Sequence, residues 1–322
     1  MTFDRPKRAF PSVTVAVPLF NEEPGVEQLL ERVSEVLDDL PAGGPHEILC
    51  VDDGSDDGTL DLLLRMRPTY PQLRVLSLSR NFGHQAALSA AMDAARGDAV
   101  FIIDGDLQDD PSLLPVFIDE YLNGADIVYA VRKQRPESMW LRAAYAIHYR
   151  LLKMMSETEI PLDAGDFSLL SRKAVDYMRA LPERQRYLRG LRAWVGLSQV
   201  GVPVERGERF AGSSKYSVRD LVRLSLNGLL AFSIVPLRVA TFVGATTVVG
   251  GVGYGIFVLI SRITGRPPQG FATLALLQIV FAGMILLVLG VIGEYVGRVY
   301  EEVKRRPVYL VAEDWDHEDS DG

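Results

Sequence analysis

The sequence predicts an α/β protein in which a mostly parallel, Rossmann-like sheet precedes an amphipathic interface helix and a two-helix transmembrane hairpin. Three observations carry this prediction. Between residues 12 and 132 short β-rich apolar runs alternate with longer helical patterns, the first four runs each end in a polar cluster rich in acids and amides, and two long uncharged segments stand back to back near the end of the chain. Alternation of strand and helix requires crossover connections, and so predicts parallel pairing with both sheet faces covered.

Residues 1–11 are an expected N-terminal extension, and 12–216 the α/β domain. Its expected strands are Val13 to Leu19, Glu47 to Val51, Arg74 to Leu78, Ala99 to Ile103 and Ala125 to Ala130. Between the first two, Val26, Leu29, Leu30, Val33, Val36, Leu37 and Leu40 recur at helical spacing, and Gly43-Gly44-Pro45 stops the helix. A mixed region follows from 133, with helices around Trp140 to Met155 and Lys173 to Leu181. Over 217–235 an amphipathic juxtamembrane helix is expected, Arg219, Arg223 and Asn227 forming its polar stripe opposite Val218, Leu221, Val222, Leu226, Leu229 and Leu230.

Arg238 and Arg262 bracket 23 uncharged residues, and Arg266 and Glu294 bracket 27 more. A helix of roughly 20 apolar residues crosses a bilayer core, so two transmembrane helices are expected within 236–293, at about 239–261 and 270–293. The outer flanks carry Arg219, Arg223, Arg238, Arg298, Lys304, Arg305 and Arg306, whereas the connecting loop carries Arg262 and Arg266. That bias predicts an inner-membrane protein with the α/β domain and the C-terminus, a helix and acidic tail over 294–322, in the cytoplasm. No cleavable leader is expected at the start, because the apolar run Val13 to Phe20 is short, contains Pro18 and leads into Asn21-Glu22-Glu23.

The chain carries 34 basic and 42 acidic side chains among its 322 residues, a formal charge of −8. This argues against binding nucleic acid through bulk charge. Six of the acids fall in the last ten residues, so the rest is near neutral. The single cysteine, Cys50, excludes a disulfide or a cysteine-built metal site within one chain.

In open parallel sheets ligands bind beyond the carboxyl ends of the strands. Those ends read Asn21-Glu22-Glu23, then Asp52-Asp53-Gly54-Ser55-Asp56-Asp57-Gly58-Thr59, then Arg80-Asn81-Phe82-Gly83-His84-Gln85, then Asp104-Gly105-Asp106-Leu107-Gln108. On an extended backbone Asp104 and Asp106 would face one side about 6.5 Å apart, a spacing that suits one hard cation, Mg²⁺ or Mn²⁺, shared with a diphosphate; the amide oxygen of Gln108 is a further candidate ligand. The stretch from Asp53 is not a calcium loop, since Ser55 and Leu64 stand where ligands belong. A phosphate-loop lysine, a Gly-x-Gly-x-x-Gly turn after the first strand and a His-Glu-x-x-His helix are all missing. His84, near the expected cleft, reads as a structural or substrate-orienting residue rather than a base.

The motifs Pro18-Leu19-Phe20-Asn21-Glu22-Glu23, Val51-Asp52-Asp53-Gly54-Ser55, Ser79-Arg80-Asn81-Phe82-Gly83-His84-Gln85, Asp104-Gly105-Asp106-Leu107-Gln108 and Gly212-Ser213-Ser214-Lys215-Tyr216, in this order, resemble those of family 2 glycosyltransferases. More narrowly they resemble the polyprenyl-phosphate glycosyltransferases, which include dolichol-phosphate mannose synthase and the bacterial bactoprenol glucosyltransferases. The resemblance runs from about residue 12 through Gly293-Glu294-Tyr295 to Arg306-Pro307. It implies a GT-A fold and an inverting transfer of a sugar, glucose from UDP-glucose, to undecaprenyl phosphate. By resemblance Pro18, Asn21, Glu22, Asp52, Asp53, Gly83, Gln85 and Asp104 line the nucleotide-sugar site, Asp104, Asp106 and Gln108 hold the metal, and Asp106 and Asp166 are the catalytic candidates. Asp166 would be the base or an orienting residue. This chain departs from the family pattern at Gly105, where Ala is usual, at Asp110, where Pro is common, and at Ser168, where Arg is frequent.

An ionised phosphate acceptor needs positioning more than deprotonation, which calls for cations. Arg209, Ser214 and Lys215 ahead of the interface helix, with Arg132 and Arg135 after the fifth strand, are the candidates. A processive polysaccharide synthase is the second reading, lacking its Gln-x-x-Arg-Trp element here, and a non-catalytic nucleotide-sugar-binding scaffold is the third. Gly251-Val252-Gly253-Tyr254-Gly255 offers a small-residue face for a homo-oligomer.

Overall fold

The computed structural model of the chain describes residues 8–41, 43–132, 164–184, 186–204, 235–264 and 270–316. The helix expected around Trp140 to Met155 and the amphipathic helix over 217–235 lie outside these residues up to 234. The chain divides into an α/β unit, which includes the segment after Arg305, and a helical unit centred on the expected hairpin.

The α/β unit is built on β1 (Val13–Leu19), α1 (Val26–Asp38), β2 (Glu47–Asp52), α2 (Thr59–Met66), β3 (Leu73–Leu78), α3 (His84–Ala94), β4 (Ala99–Ile102), α4 (Leu114–Leu122), β5 (Ile127–Arg132), β6 (Ala164–Ser171), α5 (Arg172–Ala180), α6 (Leu188–Trp194) and β7 (Gln199–Val204). A final strand, numbered β8 here (Val311–Trp315), follows the helical unit, whose helices are α7 (Val235–Ile263) and α8 (Phe271–Val303). One eight-stranded sheet runs β7-β5-β6-β4-β1-β2-β3-β8. β3, β2, β1 and β4 are mutually parallel, β5 and β7 are parallel, and β6 and β8 run against their neighbours.

The period of two along β1 sorts its side chains between the two covering layers. Val13, Val15, Val17 and Leu19 pack with Val26, Leu29, Leu30, Val33 and Leu37 of α1, whose 3.6-residue spacing makes that one face. In the same layer Phe101 meets Phe117 and Phe167 edge-on, and Phe117 and Phe167 lie tilted against each other, with ring centroids 5.2 to 5.5 Å apart. On the opposite face Ala16 meets α3, where Ala87, Ala90 and Ala91 let the helix backbone come close to the sheet. Cys50 sits in the first layer, fully buried, and is free.

Three strands, β6, β7 and β8, were not anticipated by the sequence reading, and β6 bears most directly on the site. It lies antiparallel between β4 and β5, with Phe101 opposite Leu169 and Ile102 opposite Ser168. Continuing that register brings the start of β6, Gly165-Asp166, beside the end of β4, Asp104. The acidic C-terminal stretch is not wholly a solvated tail either. Val311–Trp315 pairs with β3, and Asp314 accepts two hydrogen bonds from Arg74. Arg96 pairs with Asp316, and the Tyr309 hydroxyl donates to Asp93 at 2.8 Å. Basic side chains presented by β3 and by the turn after α3 explain why an acid-rich segment folds onto this edge.

In the helical unit α7 and α8 contain segments, Ala240–Ile263 and Leu276–Val303, that are long and apolar enough to cross a membrane, and neither segment's most apolar window is buried by protein. They touch through Thr247, whose hydroxyl approaches the Met284 sulfur at 3.0 Å. α8 runs through 293, the expected end of the second span, to Val303, so the helix expected after 293 is its continuation, with the ion pairs Arg298 to Glu294 and Lys304 to Glu301 at its end.

Candidate functional site

Three loops interlock beyond β1, β2 and β3. Asn21 takes a left-handed backbone (φ 55°), its N–H donates to the Ser55 hydroxyl at 3.0 Å and its amide oxygen accepts from the Asp56 N–H at 2.8 Å. The Glu22 N–H donates to Thr59 Oγ1 at 3.0 Å. Asp52 is buried and accepts from the Ser55 N–H and the Ser77 hydroxyl. Asp53 spends both carboxylate oxygens on the third loop, accepting from the Phe82 and Gly83 N–H groups at 2.8 Å each. Burial raises its pKa, with those two N–H groups opposing the rise. The geometry thus gives Asp53 and Gly83 a loop-locking contact. Gly54 makes the crossing possible: its φ is +67° and a Cβ there would lie 2.5 Å from the Arg80 carbonyl carbon.

Pro18 is buried in β1 opposite Val51. Its carbonyl oxygen and the Leu19 side chain crowd Gly105: a Cβ at 105 would stand 2.4 Å from Leu19 Cδ2. An alanine at this position would require Leu19 to shift, which accounts for the glycine in the acidic triplet. The strand does not stay extended through Asp106. Residues 105–107 form a turn and Leu107 has φ 58°, so strand alternation does not set the directions of the two carboxylates. Instead the loop folds on itself, the Gln108 N–H donating to Asp106 Oδ1 at 3.2 Å and the Asp104 N–H to Asp109 Oδ2 at 3.4 Å.

Asp104, Asp106 and Gln108 are partly exposed and offer an all-oxygen donor set, which fits a hard divalent cation. Among the described residues no group of three His, Cys, Asp or Glu forms a self-sufficient metal site. The set therefore fits an ion whose shell is completed by diphosphate oxygens and water, as Mg²⁺ or Mn²⁺ commonly is.

Asp166 is nearly buried at the start of β6 and is held from several sides. Arg189 of α6 forks onto it, Nε to Oδ1 at 2.9 Å and Nη2 to Oδ2 at 3.0 Å. Gln85 Nε2 lies 3.5 Å from Oδ2, while its Oε1 accepts from the Leu188 N–H at 3.0 Å. His84 Nε2 stands 3.7 Å from Asp166 Oδ2 and 3.5 Å from Asp104 Oδ1, bridging the two acids. Burial alone would raise the Asp166 pKa, but His84 and Arg189 outweigh it and hold the carboxyl well below the usual range. For His84 burial opposes charge, and the bond to Asp166 with the charges of Asp104 and Asp166 overcomes it, so its pKa rises.

Arg192, one turn along α6, is 3% exposed. Its Nη2 donates to the Gly165 carbonyl at 3.3 Å, its guanidinium lies 5.0 Å from the centre of the Tyr129 ring, and its Nε has no hydrogen-bond partner among the described residues. Burial lowers its pKa to about 10. Ser168, also buried, donates its hydroxyl to the Asp166 carbonyl at 2.7 Å.

Arg189 and Arg192 were not among the sequence candidates. A signal was present: Leu188, Leu191 and Arg192 share one helical face, and an arginine on the apolar face of a short helix is out of place unless it serves a buried group. Arg132 ends β5, which runs parallel to β4, so it reaches the same sheet edge as Asp104. Arg135, Arg209, Ser214 and Lys215 lie outside the described residues.

Residues 14–178 match the family model described as glycosyl transferase family 2. The uncharacterized glycosyltransferase sll0501 of Synechocystis sp. is 42% identical over 305 residues, 94% of this chain and 95% of that protein. The bactoprenol glucosyl transferase of Shigella phage SfII is 37% identical over 301 residues, 93% of this chain and 97% of that one. Among solved structures, mannosyl-3-phosphoglycerate synthase from Rubrobacter xylanophilus aligns with 68% of this chain and 72% of its own at 21% identity and a TM-score of 0.47.

Proposed function

The chain belongs to glycosyl transferase family 2 and is a glycosyltransferase, and from that premise we propose that it transfers glucose from UDP-glucose, with inversion, to undecaprenyl phosphate at the cytoplasmic face of the inner membrane. The observation that carries this reading is the alignment with a bactoprenol glucosyl transferase over 93% of the chain, a span too long to leave out the apolar helices. A lipid acceptor accounts for those helices, which a water-soluble acceptor would not require.

The site residues suit the reaction. An acceptor phosphate oxygen forms a bond to the anomeric carbon as the bond from that carbon to the UDP oxygen breaks on the opposite face. No proton need leave, because a phosphate monoester is already ionised near neutral pH. Asp104, Asp106 and Gln108 would hold a divalent cation, which offsets the charge developing on the leaving diphosphate. Glu22 and Asp52, on the interlocked loops, would bound the nucleotide, and Asn21, Asp53 and Gly83 would keep those loops in register. Connectivity is compatible with the proposed sidedness. β8 lies downstream of the helices yet belongs to the same sheet as β1, as expected if both outer ends of a membrane hairpin share one side.

The test is to incubate washed membranes containing the protein with labelled UDP- and GDP-sugars, undecaprenyl phosphate and Mg²⁺ or Mn²⁺. Organic-soluble label from UDP-glucose, lost with a chelator, is the expected result. Label in insoluble polymer would favour a polysaccharide synthase, and nucleotide binding without any product would favour a scaffold.

A further inference from the structure

We propose that Arg189 receives the phosphate of the acceptor in this cleft and that Asp166 is its anchor rather than a base. The proposal rests on the lipid-phosphate reading above and names the residue that would serve it.

A guanidinium has five N–H donors in a fixed plane. Arg189 uses one edge of that plane on the Asp166 carboxylate, through Nε and Nη2. Its Nη1 amino group has no partner among the described residues, and the side chain is 36% exposed against 7% for Asp166. The pair is therefore asymmetric: the carboxylate is shut in, and the cation opens outward. Such a cation is oriented before any ligand arrives, because Asp166 is fixed by β6 and the start of α6 is fixed by Gln85 through the Leu188 N–H. A preset planar fork suits a phosphate, which accepts paired N–H bonds.

Its location is also suitable. The His84 imidazole lies within 3.7 Å of Asp166 and 3.5 Å of Asp104, so the Arg189 pair borders the acidic triplet where a sugar diphosphate would lie. A second anion entering beside Asp104, Asp106, Asp109 and Asp166 meets like charge, and an oriented guanidinium offsets it. Neither neighbouring arginine is as well placed. Arg192 is 3% exposed and committed to the Gly165 carbonyl and the Tyr129 face, and Arg80 lies over the Phe82 ring on the exposed side of the third loop. Asp166 makes a poor base, since both of its oxygens already accept charged hydrogen bonds and hold it ionised.

The experiment is steady-state kinetics of the full chain in membranes, with UDP-glucose and undecaprenyl phosphate varied separately, for the unsubstituted protein, Arg189→Ala, Arg189→Lys and Asp166→Asn. UDP binding and thermal unfolding are measured alongside. Arg189→Ala is expected to raise the acceptor KM at least tenfold with the donor KM within twofold, and Arg189→Lys to recover part of that loss. Asp166→Asn is expected to raise the acceptor KM while leaving the shape of the pH-rate profile unchanged. An unchanged acceptor KM in both Arg189 variants, a rise confined to the donor KM, or loss of a basic limb from the pH profile of Asp166→Asn would overturn the proposal. Arg189→Lys keeps the charge and decides the matter if Arg189→Ala does not fold. Transfer to water or polymer by the unsubstituted protein, with none to lipid phosphate, would instead overturn the parent reading.

Discussion

Arg74 and Asp314 form a two-bond ion pair, Nε to Oδ1 at 2.9 Å and Nη2 to Oδ2 at 2.6 Å, that closes the catalytic sheet with a strand from beyond the apolar helices. Arg74 is nearly buried and also donates to Glu47 and to the Ala94 carbonyl. The same strand ties down the site: the Leu310 carbonyl accepts from the Ser79 N–H, immediately before the loop that carries Gly83, His84 and Gln85. Asp314→Ala leaves Arg74 with Glu47 as its one carboxylate partner and should cost about 2 kcal/mol of stability, less than a fully buried pair because Asp314 is partly exposed. Ending the chain after Arg306 should cost more and weaken UDP binding. Denaturant unfolding of the full chain and of both variants measures this.

Asp106→Asn keeps the size of the side chain and removes its charge. If Asp106 helps hold a cation against the leaving diphosphate, turnover should fall by about 10²-fold or more. Metal-dependent UDP binding, measured by calorimetry with and without Mn²⁺, should lose its metal dependence while the melting temperature changes little.

Gly54 and Gly83 both have positive φ, but their surroundings differ. At Gly54 a Cβ would strike the Arg80 backbone, whereas at Gly83 nothing lies within 4 Å. Gly83→Ala should cost backbone strain of about 1–3 kcal/mol. Gly54→Ala should cost more and should also weaken nucleotide binding, because the second and third loops can no longer cross. Thermal unfolding and UDP titration of the two variants separate these effects.

Cys50 is fully buried, which pushes its thiol up to about 12. The native fold therefore favours the protonated thiol, and its contribution to stability is full below the ordinary thiol value of about 8.5. It is lost as pH climbs through that value toward 12. At pH 8 a thiol reagent should leave the native protein unlabelled and should label one equivalent in denaturant. Rapid native labelling would mean that the central strands open locally.

The parallel half of the fold was legible because each strand is a short apolar run with its own helix. Val13 to Leu19 forms as expected, and the other expected strands shift by one or two residues. The acids at the ends of β1, β2 and β4 were legible for the same reason, since a carboxyl strand end is local in sequence. What escaped was long-range. Asp166 was named through the family resemblance alone, because it reaches Asp104 through an antiparallel register between β4 and β6 that no local pattern in residues 164–171 announces. Arg189 and Arg192 escaped because an arginine is expected on a surface, and these two are drawn inward by Asp166, Gly165 and Tyr129. β8 escaped because Ala312-Glu313-Asp314 reads as solvated tail until Arg74 is seen opposite it.

The measurement that tests the central claim most directly is ³¹P NMR of the full chain in lipid nanodiscs with undecaprenyl phosphate, UDP-glucose and Mg²⁺. The account predicts that the lipid monoester signal is replaced by a phosphodiester signal in step with UDP release, and that the product carries glucose with its anomeric configuration inverted. UDP release with the lipid monoester signal unchanged, or a product with retained configuration, would contradict it.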